Sequence, residues 1–459
     1  MISKQLIEKY NRAVPRYTSY PPANFFHSEF NEEQKLSLLE ASNTLHPEAI
    51  SLYFHVPFCP QLCHFCGCNS TKLPDKSTTD AYFRAMEKEL LMLKERLDNR
   101  RKVRQVHWGG GTPNGVSIHY LQRMMELVRQ HFHLAHDAEV AIEAHPAYIS
   151  QKQLNVLKAA GFTRISLGIQ DLHPGVLEAI GRRSSKIPVE ELIPQIRAAG
   201  FDSVNIDLVY GLPGQLRENY LETVEQILAL RPNRIVSFSY AHVPWVKGNQ
   251  KKIENVQRLE GEEKLALFIR GKTMLEEGGY QSLGLDHFAL PEDPLSRAFR
   301  NRELHRNFMG YALKEQTGQV YALGASGISQ MSNGYLQNEK DYRKYMELIH
   351  KEKHAYTKGY ESNDKERKAG KIIMQIMCNG SLDIHRMSKE LNISEEEARR
   401  FFTSTAVKEQ LSSMEKDGLM HCNESGFELT GQGWFFVRNV ASLFDPKLKK
   451  TSGMYSKSI

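Results

Sequence analysis

Between residues 50 and 290 the chain alternates short runs of interleaved apolar and polar residues with longer segments whose apolar positions fall three or four apart. The short runs are SLYFHV, RQVHWGGG, AEVAIEAHP, TRISLGIQ, SVNIDLVYGLP, NRIVSFSYAH and YQSLGLDHF. A period of two predicts strands, and the longer spacing predicts helices such as residues 80–98, with Phe83, Met86, Leu90, Leu93 and Leu97 on one stripe. Strand, helix, strand at this spacing predicts parallel βαβ units. One parity in each run is apolar, as in Leu52/Phe54/Val56, Val204/Ile206/Leu208 and Val236/Phe238/Tyr240, and is expected to pack against the helices. The other parity is small or polar: Tyr53/His55, His107/Gly109, Ala141/Glu143, Ser166/Gly168/Gln170, Asn205/Asp207 and Ser237/Ser239/Ala241. Packed barrel interiors are bulky and aliphatic, so a polar interior predicts an open or partial parallel barrel around a polar ligand. An open doubly wound sheet is the rival that periodicity leaves standing. Glu143, Gln170 and Asp207 fall late in their strands, the end where parallel barrels place their chemistry.

The pattern changes further on. SLDIHRMSKELNISEEEARRFF predicts two short helices around a turn, and LMHCNESGFELT predicts a hairpin turning near Glu424-Ser425-Gly426. This is a winged-helix-like arrangement, but the second helix begins with acidic residues, which argues against an approach to phosphates and for a packing or lid module. The chain therefore divides into an N-terminal arm (1–48), the barrel (49–290), a barrel extension (291–355) and a smaller, mainly helical C-terminal domain (356–459). At 459 residues, with 41% hydrophobic and 25% charged positions, the composition is that of a globular protein. No apolar run is long enough to span a bilayer, which makes the cytoplasm the default location. The net charge of +6 suits an anionic small molecule as well as a nucleic acid.

Four of six cysteines lie in CPQLCHFCGC, at Cys59, Cys63, Cys66 and Cys68. A structural zinc site usually draws on two separated pairs, and a redox centre needs only C-x2-C. Several thiols on one short loop favour an iron–sulfur cluster. Cys378 and Cys422 stand alone and read as core thiols.

C-x3-C-x2-C just after a first strand resembles the signature of radical S-adenosylmethionine enzymes. The added C-x-C ending, with PRYTSYP, YFHVPFC, HWGGGTP, GIQD, NIDLVYGLP, YAHVP, LDHFALP, LHRNF and the terminal YSKSI, resembles one subgroup, the oxygen-independent coproporphyrinogen III oxidases. The resemblance spans almost the whole chain. It implies a partial (β/α) barrel of the radical type carrying a [4Fe–4S] cluster and S-adenosylmethionine, in two molecules. Cys59, Cys63 and Cys66 would ligate the cluster and leave one iron open. Tyr53, Gly110, Gly111, Thr112, Glu143, Gln170, Arg182, Asp207 and Ala241 match contacts to S-adenosylmethionine, and Ile328 matches one to the second molecule. Cys68, which is not a ligand, and Met309 are implicated in the chemistry itself. The implied reaction is radical decarboxylation of two propionates of coproporphyrinogen III, with an electron donor such as a flavodoxin or ferredoxin. Arg16 and Arg306 are candidates for the substrate carboxylates, and PRYTSYP is expected to lie as an arm across the active-site mouth.

Two positions depart from the subgroup. Met309, followed by Gly310-Tyr311-Ala312-Leu313, stands where a Gln is general and hydroxyl residues follow; its thioether accepts hydrogen bonds only weakly. His145 stands where Asn or Asp is usual. These keep open an enzyme acting on another porphyrin or haem, and beyond it a porphyrin carrier.

Overall fold

A computed structural model describes residues 2–45, 48–313 and 319–448. The terminal YSKSI lies outside the described residues. Six strands, β1 (Ile50–Val56), β2 (Lys102–Gly110), β3 (His133–Ala144), β4 (Arg164–Gln170), β5 (Ser203–Tyr210) and β6 (Arg234–Ser239), pair in parallel in chain order. Among them the order never reverses, so there is no switch point and the doubly wound alternative falls. Helices line one face: α1 (Lys76–Arg96), α2 (Ile118–His131), α3 (Gln151–Ala159), α4 (Val189–Ala198), α5 (Arg217–Leu230) and α6 (Gly261–Glu277). The Phe83–Leu97 stripe is buried on α1 and its C-cap, and α1 starts on Asp75, whose side chain accepts from Thr78 N.

Side-chain alternation holds for the first five strands. Leu52, Ile142, Leu167 and Ile206 join the core beneath the helices, while Tyr53, Glu143, Ser166 and Asp207 face the other way. In β6 the expected parity is inverted. Ile206 pairs with Ile235 and Asp207 with Val236, so Ile235 and Ser237 face the helices, Ser237 bonding Tyr220 of α5 at 2.6 Å. Val236 and Phe238 face inward, and Phe238 is 39% exposed. Nor is YQSLGLDHF a seventh parallel strand. It folds as the antiparallel hairpin β7 (Gln281–Leu283) and β8 (His287–Ala289), which ends the sheet beside β6.

Beyond β1 the sheet grows in the other direction. After the small hairpin β9 (Leu304–Asn307) and β10 (Gly310–Leu313), β11 (Gln319–Leu323) pairs parallel to β1. It is followed by antiparallel β12 (Ile328–Met331), β13 (Gly334–Asn338) and β14 (Tyr356–Glu361), which completes a twelve-stranded sheet. The residue-356 boundary thus falls on a strand of the large sheet; a new helix begins at the capping box of Asn363.

The C-terminal module has its own core and the two helices and hairpin that the pattern predicts, Ile384–Leu391, Glu395–Thr403 and Met420–Leu429. Cys378 is buried, but Cys422 is exposed on the hairpin rather than in a core. The arm is shared. Leu38 and Leu39 enter the barrel core, whereas Tyr10, Tyr17 and Tyr20 enter the module's core. Tyr17 and Tyr20 hydroxyls each donate to Asp445 at 2.9 Å, and Arg438 donates to Val14 and Pro15 carbonyls. PRYTSYP therefore ties the arm to the C-terminal module. No described helix is long and apolar enough to cross a membrane.

Glu89 of α1 joins the two halves of the sheet. Its carboxylate accepts from Gly324 N at 2.7 Å, Tyr345 Oη at 2.6 Å and Asn338 Nδ2 at 2.7 Å. Burial pushes its pKa up to about 7 from 4.5 in spite of these donors. The folded state thus holds this proton more tightly than the unfolded chain. Its contribution, on the order of 3 kcal/mol, is complete below the unfolded value and lost as pH rises through the folded one. Urea unfolding between about pH 5 and pH 8 should show stability falling with pH, and Glu89→Gln should flatten that slope. An unchanged slope in the variant would show that another group governs it.

Candidate active site

The cysteine loop leaves β1 and closes on itself, because Phe58–Cys59 pair with Thr71–Lys72. Cys59 and Cys63 are buried, Cys66 is half-buried and Cys68 exposed, all as free thiols. Three sulfurs receive a donor each: Thr112 Oγ1 to Cys59 at 3.3 Å, Arg182 guanidinium to Cys63 at 3.2 Å, and Cys68 N to Cys66 at 3.4 Å. Such donors favour thiolates. Among the described residues no His, Cys, Asp or Glu side chains converge closely enough to hold a single metal ion.

The Gly-rich end of β2 works as empty space. A Cβ on Gly109 would stand 2.7 Å from Glu143 Oε1, and one on Gly110, at φ +111°, would stand 2.6 Å from the His55 ring. Glu143 accepts from His107 Nε2 at 3.0 Å and from Gly110 N at 3.2 Å. Burial opposes its charge, but these donors hold its carboxyl below the usual range. The N–H groups of Gly111 and Thr112 are taken by the carbonyls of Val56 and Phe58, and the Thr112 hydroxyl by Cys59. These three donors are thus committed within the protein, so the turn's contribution to a ligand is room.

Asp207 accepts from Ser166 Oγ at 3.1 Å and from Asn205 Nδ2 at 2.8 Å. Burial, and then the charge of Glu143, push it up to about 6. Gln170 ends β4 with φ +71°, a left-handed conformation costly for a non-glycine residue. Its amide lies over Gly168, where a Cβ would come within 2.8 Å of Nε2. Arg182 also donates to the Gly168 carbonyl, which ties β4 to Cys63. Tyr53 stacks on His107 with ring centres 5.9 Å apart and bonds His55 at 3.1 Å.

The remaining predicted residues lie on other segments. Ala241 follows β6, and its carbonyl accepts from Gln250. Ile328 opens β12 with the parity of Gln330, which pairs with Val320 on the inner face. Met309 sits at the tip of the β9–β10 hairpin, its N–H bonded to Asn307 Oδ1 at 2.8 Å. His145 caps a turn of 3-10 helix, Nδ1 accepting from Ala147 N at 3.2 Å. That is the work an Asn or Asp does at a cap, so His145 is a structural substitute.

A second group gathers by the β8 end. Asp286 bonds His287 at 2.7 Å, and Arg306 lies over Tyr311 at 4.9 Å while Tyr311 packs edge-on to His287. Asp286 is held below its usual pKa: burial opposes this, but His287, Arg306 and Arg16 outweigh it. Arg16 also acts on Lys264, which burial first and then Arg16 lower to about 8. The charges of Arg16 and Arg306 thus both act on Asp286. Lys264, Asp286 and His287 were missed by the sequence reading. His55, His107, Ser166 and Asn205 were visible there only as polar parity.

A radical SAM superfamily model matches residues 53–227. The oxygen-independent coproporphyrinogen III oxidase of Synechocystis is 35% identical across 100% of this chain and 98% of its own length. That of Escherichia coli is 35% identical, covering 98% and 96%. The solved structure of the Escherichia coli enzyme, described as a radical SAM enzyme, superposes with a TM-score of 0.89 at 33% identity, covering 98% of this chain and 99% of that one. The chain belongs to the oxygen-independent coproporphyrinogen III oxidase family. Neither a haem-modifying enzyme nor a carrier is favoured by these likenesses.

The cofactors of this radical family are a [4Fe–4S] cluster and S-adenosylmethionine. The residues present fit both. Thiols spread along one loop, each facing a donor, suit a group wider than one ion. His107 Nδ1 and Asn205 Oδ1 are buried without a partner beside two carboxylates, on a face suited to a polar, cationic ligand.

Gly109→Ala is expected to displace the Glu143 carboxylate and cost about 1–3 kcal/mol of stability, read by chemical denaturation. A variant as stable as the parent would mean that Glu143 moves aside freely.

Proposed function

We propose that this protein converts two propionate side chains of coproporphyrinogen III into vinyl groups, each with loss of carbon dioxide, giving protoporphyrinogen IX. The observation that carries the reading is the extent of the likeness, 98% of the chain against the Escherichia coli oxidase. A likeness confined to the barrel would support the cofactors but not the substrate.

Cys59, Cys63 and Cys66 would hold the cluster, with Arg182 and Thr112 orienting two of the sulfurs. Cys68 is left free of it, its thiol in the electrostatic field shared by Tyr53 and Glu143. When bound, the cluster and S-adenosylmethionine together supply a carbon radical able to take hydrogen from an unactivated C–H bond. Glu143 and Asp207 set two carboxylates on the inner face, where the ammonium, sulfonium and ribose hydroxyls of S-adenosylmethionine would be matched. Gln170 and Tyr53 flank that space, and Gly109 to Gly111 keep it open. Ile328 marks the wall for a second S-adenosylmethionine. Arg16, Arg306 and Lys264 supply positive charge for the substrate's four carboxylates. Phe238, exposed inward and edge-on to His287 at 6.3 Å, offers an apolar surface to the macrocycle. The electron comes from outside the chain, from a one-electron carrier of the flavodoxin or ferredoxin kind.

The test is anaerobic. Protein reconstituted with iron and sulfide receives dithionite, S-adenosylmethionine and coproporphyrinogen III, and products are followed by mass spectrometry. Protoporphyrinogen IX with 5′-deoxyadenosine is expected; 5′-deoxyadenosine alone would overturn the substrate. In the same assay Met309→Gln should preserve or raise decarboxylation, and a clear loss would show that the methionine has a role of its own. Iron analysis of two further variants checks the ligands. Cys68→Ser should retain cluster iron and Cys63→Ser should lose most of it, whereas equal loss would refute the assignment.

A further inference from the structure

Every carbonyl from Cys63 to Cys66, and that of Cys68, is capped by a side chain from one short segment that follows β6. Lys247 Nζ donates to Cys68 O at 3.0 Å. Asn249 Nδ2 donates to the carbonyls of Cys63, His64 and Cys66 at 3.0, 3.0 and 3.1 Å, and Gln250 Nε2 to that of Phe65 at 2.9 Å. Residues 247–250 are therefore a wall of the cysteine loop. The residues on either side of the capping side chains are unusually bare: Trp245 is 78% exposed and Val246 66%, and Lys251 and Lys252 are exposed too. Residues 248–253 form a 3-10 helix, so Lys252 stands one turn from Asn249, on the side that meets the loop. From another side, Gln61 bonds Arg183 and the Gly181 carbonyl, both at 2.8 Å, and the neighbouring Leu62 is exposed.

The charge around this loop is one-sided. Residues 57–74, 181–188 and 240–253 contain no Asp or Glu, yet carry Lys72, Arg182, Arg183, Lys186, Lys247, Lys251 and Lys252. These seven positive charges exceed the net +6 of the whole chain, so the rest of the protein is close to neutral. A large exposed aromatic with aliphatic neighbours inside a rim of one sign is the composition of a protein-docking surface.

We propose that this collar docks an acidic one-electron carrier protein, seated on Leu62, Trp245 and Val246 and steered by Lys251, Lys252 and Arg183. The inference rests on the cluster reading above and adds the face through which the electron enters. One electron would leave the carrier, oxidising it by one equivalent, and would reduce by one the cluster that Cys59, Cys63 and Cys66 would hold; no bond is made or broken. The capped carbonyls join this face directly to the cluster's ligands. The substrate's carboxylates have their own cations near Asp286, which leaves the collar to a partner whose acidity gives it fast, salt-sensitive association.

The reconstituted full-length enzyme is tested with flavodoxin, fully reduced, as the carrier, and separately with dithionite. The double variant Lys251→Glu/Lys252→Glu and the single variant Trp245→Ala are compared with the parent. Flavodoxin-driven cluster reduction, followed by the loss of visible absorption, should fall by about tenfold or more in the double variant. In the parent it should weaken with added salt. Dithionite-driven formation of 5′-deoxyadenosine and the KM for coproporphyrinogen III should stay unchanged in both variants. A raised KM for the tetrapyrrole with intact flavodoxin reduction would assign the collar to the substrate and overturn the proposal. Equal falls with both reductants, or no change with either, would also overturn it. Absence of dithionite-driven cleavage in the parent would defeat the enzyme reading itself, and docking with it.

Discussion

The site depends on one constraint of the parallel strand: alternate residues leave on opposite faces, and the parallel register keeps neighbouring strands in step. Ile142, Leu167 and Ile206 are fully buried beneath the helices. Each such side chain contributes about 1.5–3 kcal/mol by leaving water. With one face so occupied, the other carries little of the packing, and polar groups can collect there. Register then decides which of them meet. Glu143 pairs with Ser166, Ser166 with Asn205, and Gly168 with Asp207. Residues as much as thirty-nine apart in sequence become lateral neighbours, and Glu143 and Asp207, sixty-four apart, share one wall.

That wall is usable because side chains are missing where the acids need space. Gly109 and Gly110 leave room for Glu143 and for the His55 ring, and Gly168 leaves room for the Gln170 amide and the Arg182 guanidinium. Where the chain cannot use glycine it accepts strain, as at Gln170, whose left-handed backbone turns its amide back over its own strand. A generic barrel would fill these positions with aliphatic side chains and gain stability; here the interior is held open by absences, and rigidity comes from hydrogen bonds to backbone.

Much of this was legible because periodicity and local spacing are properties of short segments. The first five strands, the α1 stripe, the winged hairpin and the cysteine loop all fall in that class. What was misread depends on partners distant in sequence. In NRIVSFSYAH both parities carry apolar residues, so only pairing with β5 shows that Ile235 and not Val236 faces the helices. β11 to β14 extend the sheet on the far side of β1, an outcome set by the pairing of Leu52 with Tyr321 rather than by local pattern. The anchoring of PRYTSYP could not be read from the segment itself either, because its tyrosines find Asp445, more than four hundred residues away. Asn249 gave no signal at all: a single amide in a Lys-rich loop becomes meaningful only when three carbonyls of the cysteine loop converge on it.

Charge is sorted within the site. Glu143 and Asp207 make the barrel interior acidic, and the charge of Glu143 is one reason Asp207 sits near 6. Lys264, Arg16 and Arg306 make the end beside Asp286 basic. Two carboxylates in one desolvated interior raise each other's cost of ionisation. A ligand bearing an ammonium and a sulfonium removes that cost, whereas a neutral one leaves it in place. Such a face would favour a cation, and the cations near Asp286 would favour carboxylates. The two preferences sit side by side, because Asp207 and His287 both pair with Val236 of the strand between them, and that register is set by the packing of the other face. A cationic cofactor bound on that face would therefore also stabilise the fold.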